Sequence, residues 1–136
     1  MNEMMIYSNK KETFQIIDYT ATHAQLLLRS IKSSEREYNI DIILKGVSHL
    51  ILPNEINGFQ ISVLDNEEII RFLQEKFSFD VEYGNQIFII KDNEEKEYFV
   101  NALCFGIYHN TLDILETSLG RYDFESFGEL QKWYAD

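Results

Sequence analysis

The chain has one cysteine, Cys104, so no internal disulfide can brace it and the fold calls for no oxidising compartment. It has one proline, Pro53, and six glycines, with no Pro/Gly/Ser-rich stretch to serve as a linker. Residues 1–136 therefore read as a single domain. Positive charge is scarce: 12 Lys and Arg stand against 23 Asp and Glu, a net charge of −11. That balance excludes the basic surface that nucleic acid demands, and it argues equally against anionic membrane surfaces. No apolar run approaches the roughly 18 residues needed to span a bilayer. Met1 to Lys11 carries Asn2, Glu3, Ser8, Asn9, Lys10 and Lys11 and holds no apolar core of a signal peptide, so a cytoplasmic location is expected.

What is present is apolar and aromatic material in short alternating runs. Hydrophobic residues make up 45% of the chain, with 10 Phe and 8 Tyr, enough for a core without metal or disulfide. Residues 1–12 read as a mobile start. Phe14–Tyr19, Gln25–Lys32, Tyr38–Lys45, Leu50–Leu52 and Phe59–Leu64 follow as strands, divided by Ser33–Glu37, Gly46, Pro53 and Asn57-Gly58. In the third of these, Ile40, Ile42 and Leu44 fall on one face, with Asp41, Ile43 and Lys45 on the other. The period changes after Leu64. Asp65 with Glu68 fits a capping box, and Ile69, Ile70, Leu73 and Phe77 recur at helical spacing, which predicts a helix over about 66–77 with Asp65 as its cap. Phe79–Tyr83 and Gln86–Lys91 read as a hairpin about Gly84-Asn85. The run 96–108 fits either period, and its crowded aromatic and β-branched residues favour a strand. Ser126 with Glu129, and Phe127, Leu130, Trp133 and Tyr134 on one helical face, predict a short C-terminal helix. The expected fold is α+β: a mostly antiparallel sheet of about eight strands with two helices.

Motifs that carry chemistry are missing. His23, His49 and His109 form no H-x-x-x-H or H-E-x-x-H pair, so standard zinc spacing is lacking and no metal is expected. His23 and His109 sit in turn-like settings, and His49 borders an apolar strand. No Ser lies in a G-x-S-x-G setting, and the scattered glycines make no phosphate-cradling loop. Cys104, between Leu103 and Phe105, reads as a small buried hydrophobe rather than a nucleophile. No catalytic residue and no cofactor is expected. The acidic residues Glu35, Glu37, Glu94, Glu95, Glu97, Asp123 and Glu125 fall in segments that read as turns. They are the candidate surface for a basic protein partner.

The segment Asn110-Thr111-Leu112-Asp113-Ile114-Leu115-Glu116-Thr117-Ser118-Leu119, the order of strands and the −11 balance resemble small acidic bacterial proteins of the polymorphic-toxin immunity type. The resemblance implies a β-rich cytoplasmic protein that binds and neutralises a toxin and needs no catalytic site. The expected function is a non-catalytic protein-binding module. Two other classes stand beside it. One is a small-ligand binder or enzyme with its site in a cup of the curved sheet. The other is a structural subunit that assembles through a sheet edge.

Overall fold

The computed structural model describes residues 5–119 and 127–135. The elements run β1 (Met5–Thr20), β2 (Gln25–Ser30), β3 (Asn39–Lys45), β4 (His49–Ile51), β5 (Glu55–Val63), α1 (Glu67–Phe77), β6 (Gln86–Lys91), β7 (Glu97–Ala102), β8 (Cys104–Asn110) and β9 (Glu129–Ala135). The nine strands form one sheet in the order β4-β7-β6-β5-β1-β2-β3-β8-β9, and every neighbouring pair is antiparallel. The architecture is α+β, with nine strands among the described residues where the sequence predicted about eight. Among the described residues no helix is long and apolar enough to cross a membrane.

The length of β1 divides the sheet into two wings. Its first part pairs with β5, from Met5↔Ser62 to Gln15↔Glu55, and its last part with β2, from Gln15↔Arg29 to Thr20↔Gln25. Register slips along β1 bend the strand between its two partners. The wings meet again at a second corner. β7 pairs with β4 and β6, β8 pairs with β3 and β9, and only Leu103 separates β7 from β8. Leu103 N donates to Lys45 O and Ser48 N to Asn101 O, both at 2.9 Å, so β3–β4 turns the corner alongside β7–β8. Strands that switch wings at bends are the usual way to make such a corner.

The wings pack face to face. Phe14, Ile42, Phe59, Phe88, Val100 and Phe105 belong to one buried cluster, and the Phe88 and Phe105 rings meet edge-on with centroids 5.4 Å apart. Ile40, Ile42 and Leu44 lie in this cluster, as alternation predicts. The opposite face of β3 is buried too. Leu27, Ile43, Tyr108, Leu119 and Phe127 form a second cluster outside the sheet, so the C-terminal part of the chain covers β2 and β3. α1 covers the outside of the other wing through Leu73, with Ile69 and Ile70, over Ile87 and Ile89.

Several expectations are corrected. Residues 5–12 are strand rather than a mobile start, because β5 supplies partners for their backbone groups. Asn57-Gly58 lies within β5 and marks a bulge, with Gly58 at φ +81°. Phe79–Tyr83 makes no hairpin arm; it is a loop that follows the left-handed C-cap residue Ser78. The buried Asn101 side chain ties this loop down, accepting from Asp80 N at 2.7 Å and donating to Asp80 O at 2.8 Å. The stretch 96–108 is extended. The predicted C-terminal helix is instead β9, paired with β8 from Cys104↔Ala135 to His109↔Glu129. The free edge of β8 outweighs a local capping pattern, whose intrinsic strength is small. Tyr134 stacks on Phe105 at 5.8 Å, while Leu130 and Trp133 stay about half exposed, so the residues expected on one face are split.

The helix is capped by Asn66, not Asp65. Asn66 Oδ1 accepts from Glu68 N at 3.0 Å and Ile69 N at 3.1 Å. Asn66→Ala is expected to lower stability by about 1 kcal/mol, with Asp65→Ala costing clearly less. Urea unfolding of the two variants checks this, and the reverse order would reassign the cap.

Candidate functional site

The register of β1 against β5 builds the site. Asn9 pairs with Phe59 and Thr13 with Asn57, so residues 10–12 of β1 stand opposite Gly58 alone. A strand with extra residues must bow outward. The space left at Gly58 is taken by the Asn93 side chain, which a Cβ at Gly58 would strike. Asn93 Nδ2 donates to Lys10 O at 3.0 Å and Asn93 N to Asn57 O at 2.8 Å, which seats the β6–β7 turn on one side of the bulge. On the other side, Arg36 of the β2–β3 loop donates to Glu12 Oε2 at 3.3 Å and to Ser30 Oγ at 2.6 Å.

Two acidic turns far apart in sequence thus share one end of the sheet. Glu35 and Glu37 lie on the β2–β3 loop, Glu94 and Glu95 on the β6–β7 turn, and Glu97 opens β7; all five are exposed. Asp92 shapes the second turn. Its Oδ1 accepts from Glu94 N at 2.8 Å and Lys96 N at 3.0 Å, and its Oδ2 accepts from the Tyr98 hydroxyl at 3.3 Å. Desolvation works to raise the Asp92 carboxyl, but these donors outweigh it and hold the group below the usual carboxylate value. Lys96 lies 3.7 Å from Glu94 and Lys91 3.6 Å from Glu97, solvated pairs of the sort that contribute little. Asp123 and Glu125 lie outside the described residues.

Between β1 and the end of β2 is an open cleft of about 340 Å³, bordered by Lys11, Glu12, Thr13, Gln15, Ser30 and Ser33. Beside it the Arg36 guanidinium lies 5.6 Å from the centre of the Tyr38 ring, and Tyr38 stacks on His109 at 4.2 Å. His109 is therefore a half-buried strand residue rather than a solvated turn residue. Burial pushes its imidazole below the ordinary value; Glu129 pulls it up and Arg36 adds to the lowering.

The remaining sequence candidates are dispersed. His23 is exposed in the β1–β2 loop. His49 stacks on Phe79 at 5.2 Å near the Leu103 corner, and His109 lies at the far end of β8. Among the described residues, no three of the His, Cys, Asp and Glu side chains are placed to hold a metal ion. Cys104 is half-buried, less hidden than its apolar neighbours suggested, because it opens β8 at the corner. Burial pushes its thiol up and Lys45 pulls it down, leaving it above the ordinary value, the wrong direction for a nucleophile.

The most strongly built polar group was not singled out from the sequence. Arg29 and Asp41 are both fully buried and form a two-pronged ion pair, Nε to Oδ1 at 2.6 Å and Nη2 to Oδ2 at 2.9 Å. Arg29 Nη1 also donates to Asp113 O at 3.2 Å and Ile114 O at 3.0 Å, and Asn110 Nδ2 donates to Asp41 Oδ2 at 2.7 Å. Asn39 adds a bond to Leu112 O at 3.0 Å. With its charges and most of its donors engaged inside the protein, the pair serves to fasten residues 110–118 across β2 and β3. One signal for it was available: an isolated charge of each sign in consecutive apolar strands, facing one another at Arg29↔Asp41. No protein-family model, no curated protein and no solved structure matches the chain.

Proposed function

We propose that the protein is a non-catalytic protein-binding module of the immunity type, acting in the bacterial cytoplasm to hold a basic partner protein at its acidic end. The observation that carries this reading is the placement of Glu35, Glu37, Glu94, Glu95 and Glu97 at one end of the sheet. Two turns supply them, separately anchored on residues 10–12. Solvated carboxylates fixed on a rigid frame cost little to keep and can steer a cationic protein into contact. A packed interior also favours this reading over a ligand-binding cup: Phe14, Phe59, Phe88 and Phe105 are fully buried between the wings.

The test is association with the product of the adjacent gene, followed by stopped flow. Raising salt from 0.1 M to 1 M shortens the Debye length from about 10 Å to about 3 Å and should slow association at least about tenfold. Replacing Glu35, Glu37, Glu94 and Glu95 together by Lys should slow it comparably at low salt. The melting temperature should move little, since single exposed charges contribute about 0–1 kcal/mol. An on-rate indifferent to both salt and charge reversal, or no association, would remove the proposal.

A further inference from the structure

A different face of the molecule is apolar where it meets solvent. α1 already buries Leu73 beneath it, yet Phe72 is 52% exposed and Phe77 46%. Their rings meet edge-on at 6.1 Å, and Phe77 continues to Phe79 at 6.5 Å. The loop beyond carries Val81, 45% exposed, and Tyr83, 91% exposed. From residue 65 to residue 83 the charged side chains are Asp65, Glu67, Glu68, Glu75, Asp80 and Glu82, opposed only by Arg71 and Lys76. Exposed aromatic rings carried on an acidic segment are a recurrent form of protein-docking surface.

Tyr83 is held outward at a conformational cost. It has φ +58° and is followed by Gly84 at φ +86°, with Asn85 N donating to Glu82 O at 3.1 Å. This is the pattern of a type I′ turn, whose first central position suits Asn, Asp or Gly and strains an aromatic residue. Stability alone would place Asn there. A ring retained in a strained position and left in solvent points to a contact made with something else.

We infer that α1 and the loop to Tyr83 form a docking surface for a cationic amphipathic segment of a partner protein. Its apolar side chains rest on Phe72, Phe77 and Tyr83, and its Lys and Arg face Glu68, Glu75 and Glu82. The surface is separate from the acidic end, because Tyr83 lies before β6 and the Glu94–Glu95 turn lies after it. It stands whether or not the acidic end binds a partner.

The test uses two synthetic peptides of equal charge, one of lysine and leucine at helical spacing and one of lysine and serine, titrated calorimetrically into the full chain. The leucine peptide should bind at least about tenfold more tightly, and Phe72→Ser and Tyr83→Asn should each weaken it by about tenfold, as central aromatic contacts do. Tyr83→Asn should at the same time raise the melting temperature, which separates a lost contact from a damaged fold. The Glu35→Lys, Glu94→Lys double variant should bind the leucine peptide as the wild type does. Equal binding of the two peptides, no binding of either, indifference to Phe72→Ser and Tyr83→Asn, or loss on reversing Glu35 and Glu94 would each overturn the assignment.

Discussion

Asp41→Ala is expected to destabilise the protein by about 3–5 kcal/mol, the usual cost of stripping one partner from a buried ion pair. Arg29 would then sit fully buried, keeping only its bonds to the carbonyls of Asp113 and Ile114. Against a total stability of about 5–15 kcal/mol, that loss is a large fraction. Denaturant unfolding measures it. Hydrogen exchange adds the location, because the amides of 112–118 should lose protection before those of β2 and β3. The double replacement Arg29→Met, Asp41→Leu should recover most of the lost stability, since an apolar pair carries no desolvation cost. A loss below about 1 kcal/mol for Asp41→Ala would mean that the pair is not sealed from water.

Phe88→Ala should be of similar size, about 3–5 kcal/mol, as for other large buried aromatics. Phe88 on β6 is fully buried and meets Phe105 of β8 edge-on at 5.4 Å and Tyr134 of β9 at 5.9 Å. It joins the two wings of the sheet, and its removal opens a cavity that neither backbone can close alone. The midpoint of guanidinium unfolding should fall accordingly, and β9 amides should exchange faster because Tyr134 loses its support. If stability changed by less than about 1 kcal/mol, the wings would not be held together through these rings.

The parts of the fold that depend on local periodicity were legible in the chain. The core face of β3, the helix after Leu64 and the strands at β2 and β6 are all set by neighbours a few residues away. The features missed depend on distant partners. Asn57-Gly58 carries the same signal for a turn and for a bulge, and only the pairing of β5 with residues 9–13 of β1 decides between them. Ser126 to Glu129 offers a helix cap, but the open edge of β8 claims Glu129–Ala135 as a strand. The acidic residues were recognisable singly, while their shared end of the sheet is not. It arises because Asn93 and Arg36, far apart in the chain, dock on the same bulge, at Lys10 and Glu12. Arg29 and Asp41 become a pair only through the β2–β3 register.

The Leu103 corner has a consequence for how the molecule comes apart. Neither wing owns a complete set of strands: β1 serves both, and the β3–β4 and β7–β8 segments each begin in one wing and finish in the other. Parting the halves would strip β1 from one of its partners and break the corner bonds from Leu103 N to Lys45 O and from Ser48 N to Asn101 O, while β1 and the two covalent crossings still tied them together. No fragment of the chain corresponds to half of the structure, and cutting between residues 46 and 48 or at Leu103 leaves each piece with unpaired strand edges. The protein should melt as one cooperative unit, with no half-open species in which one wing survives without the other.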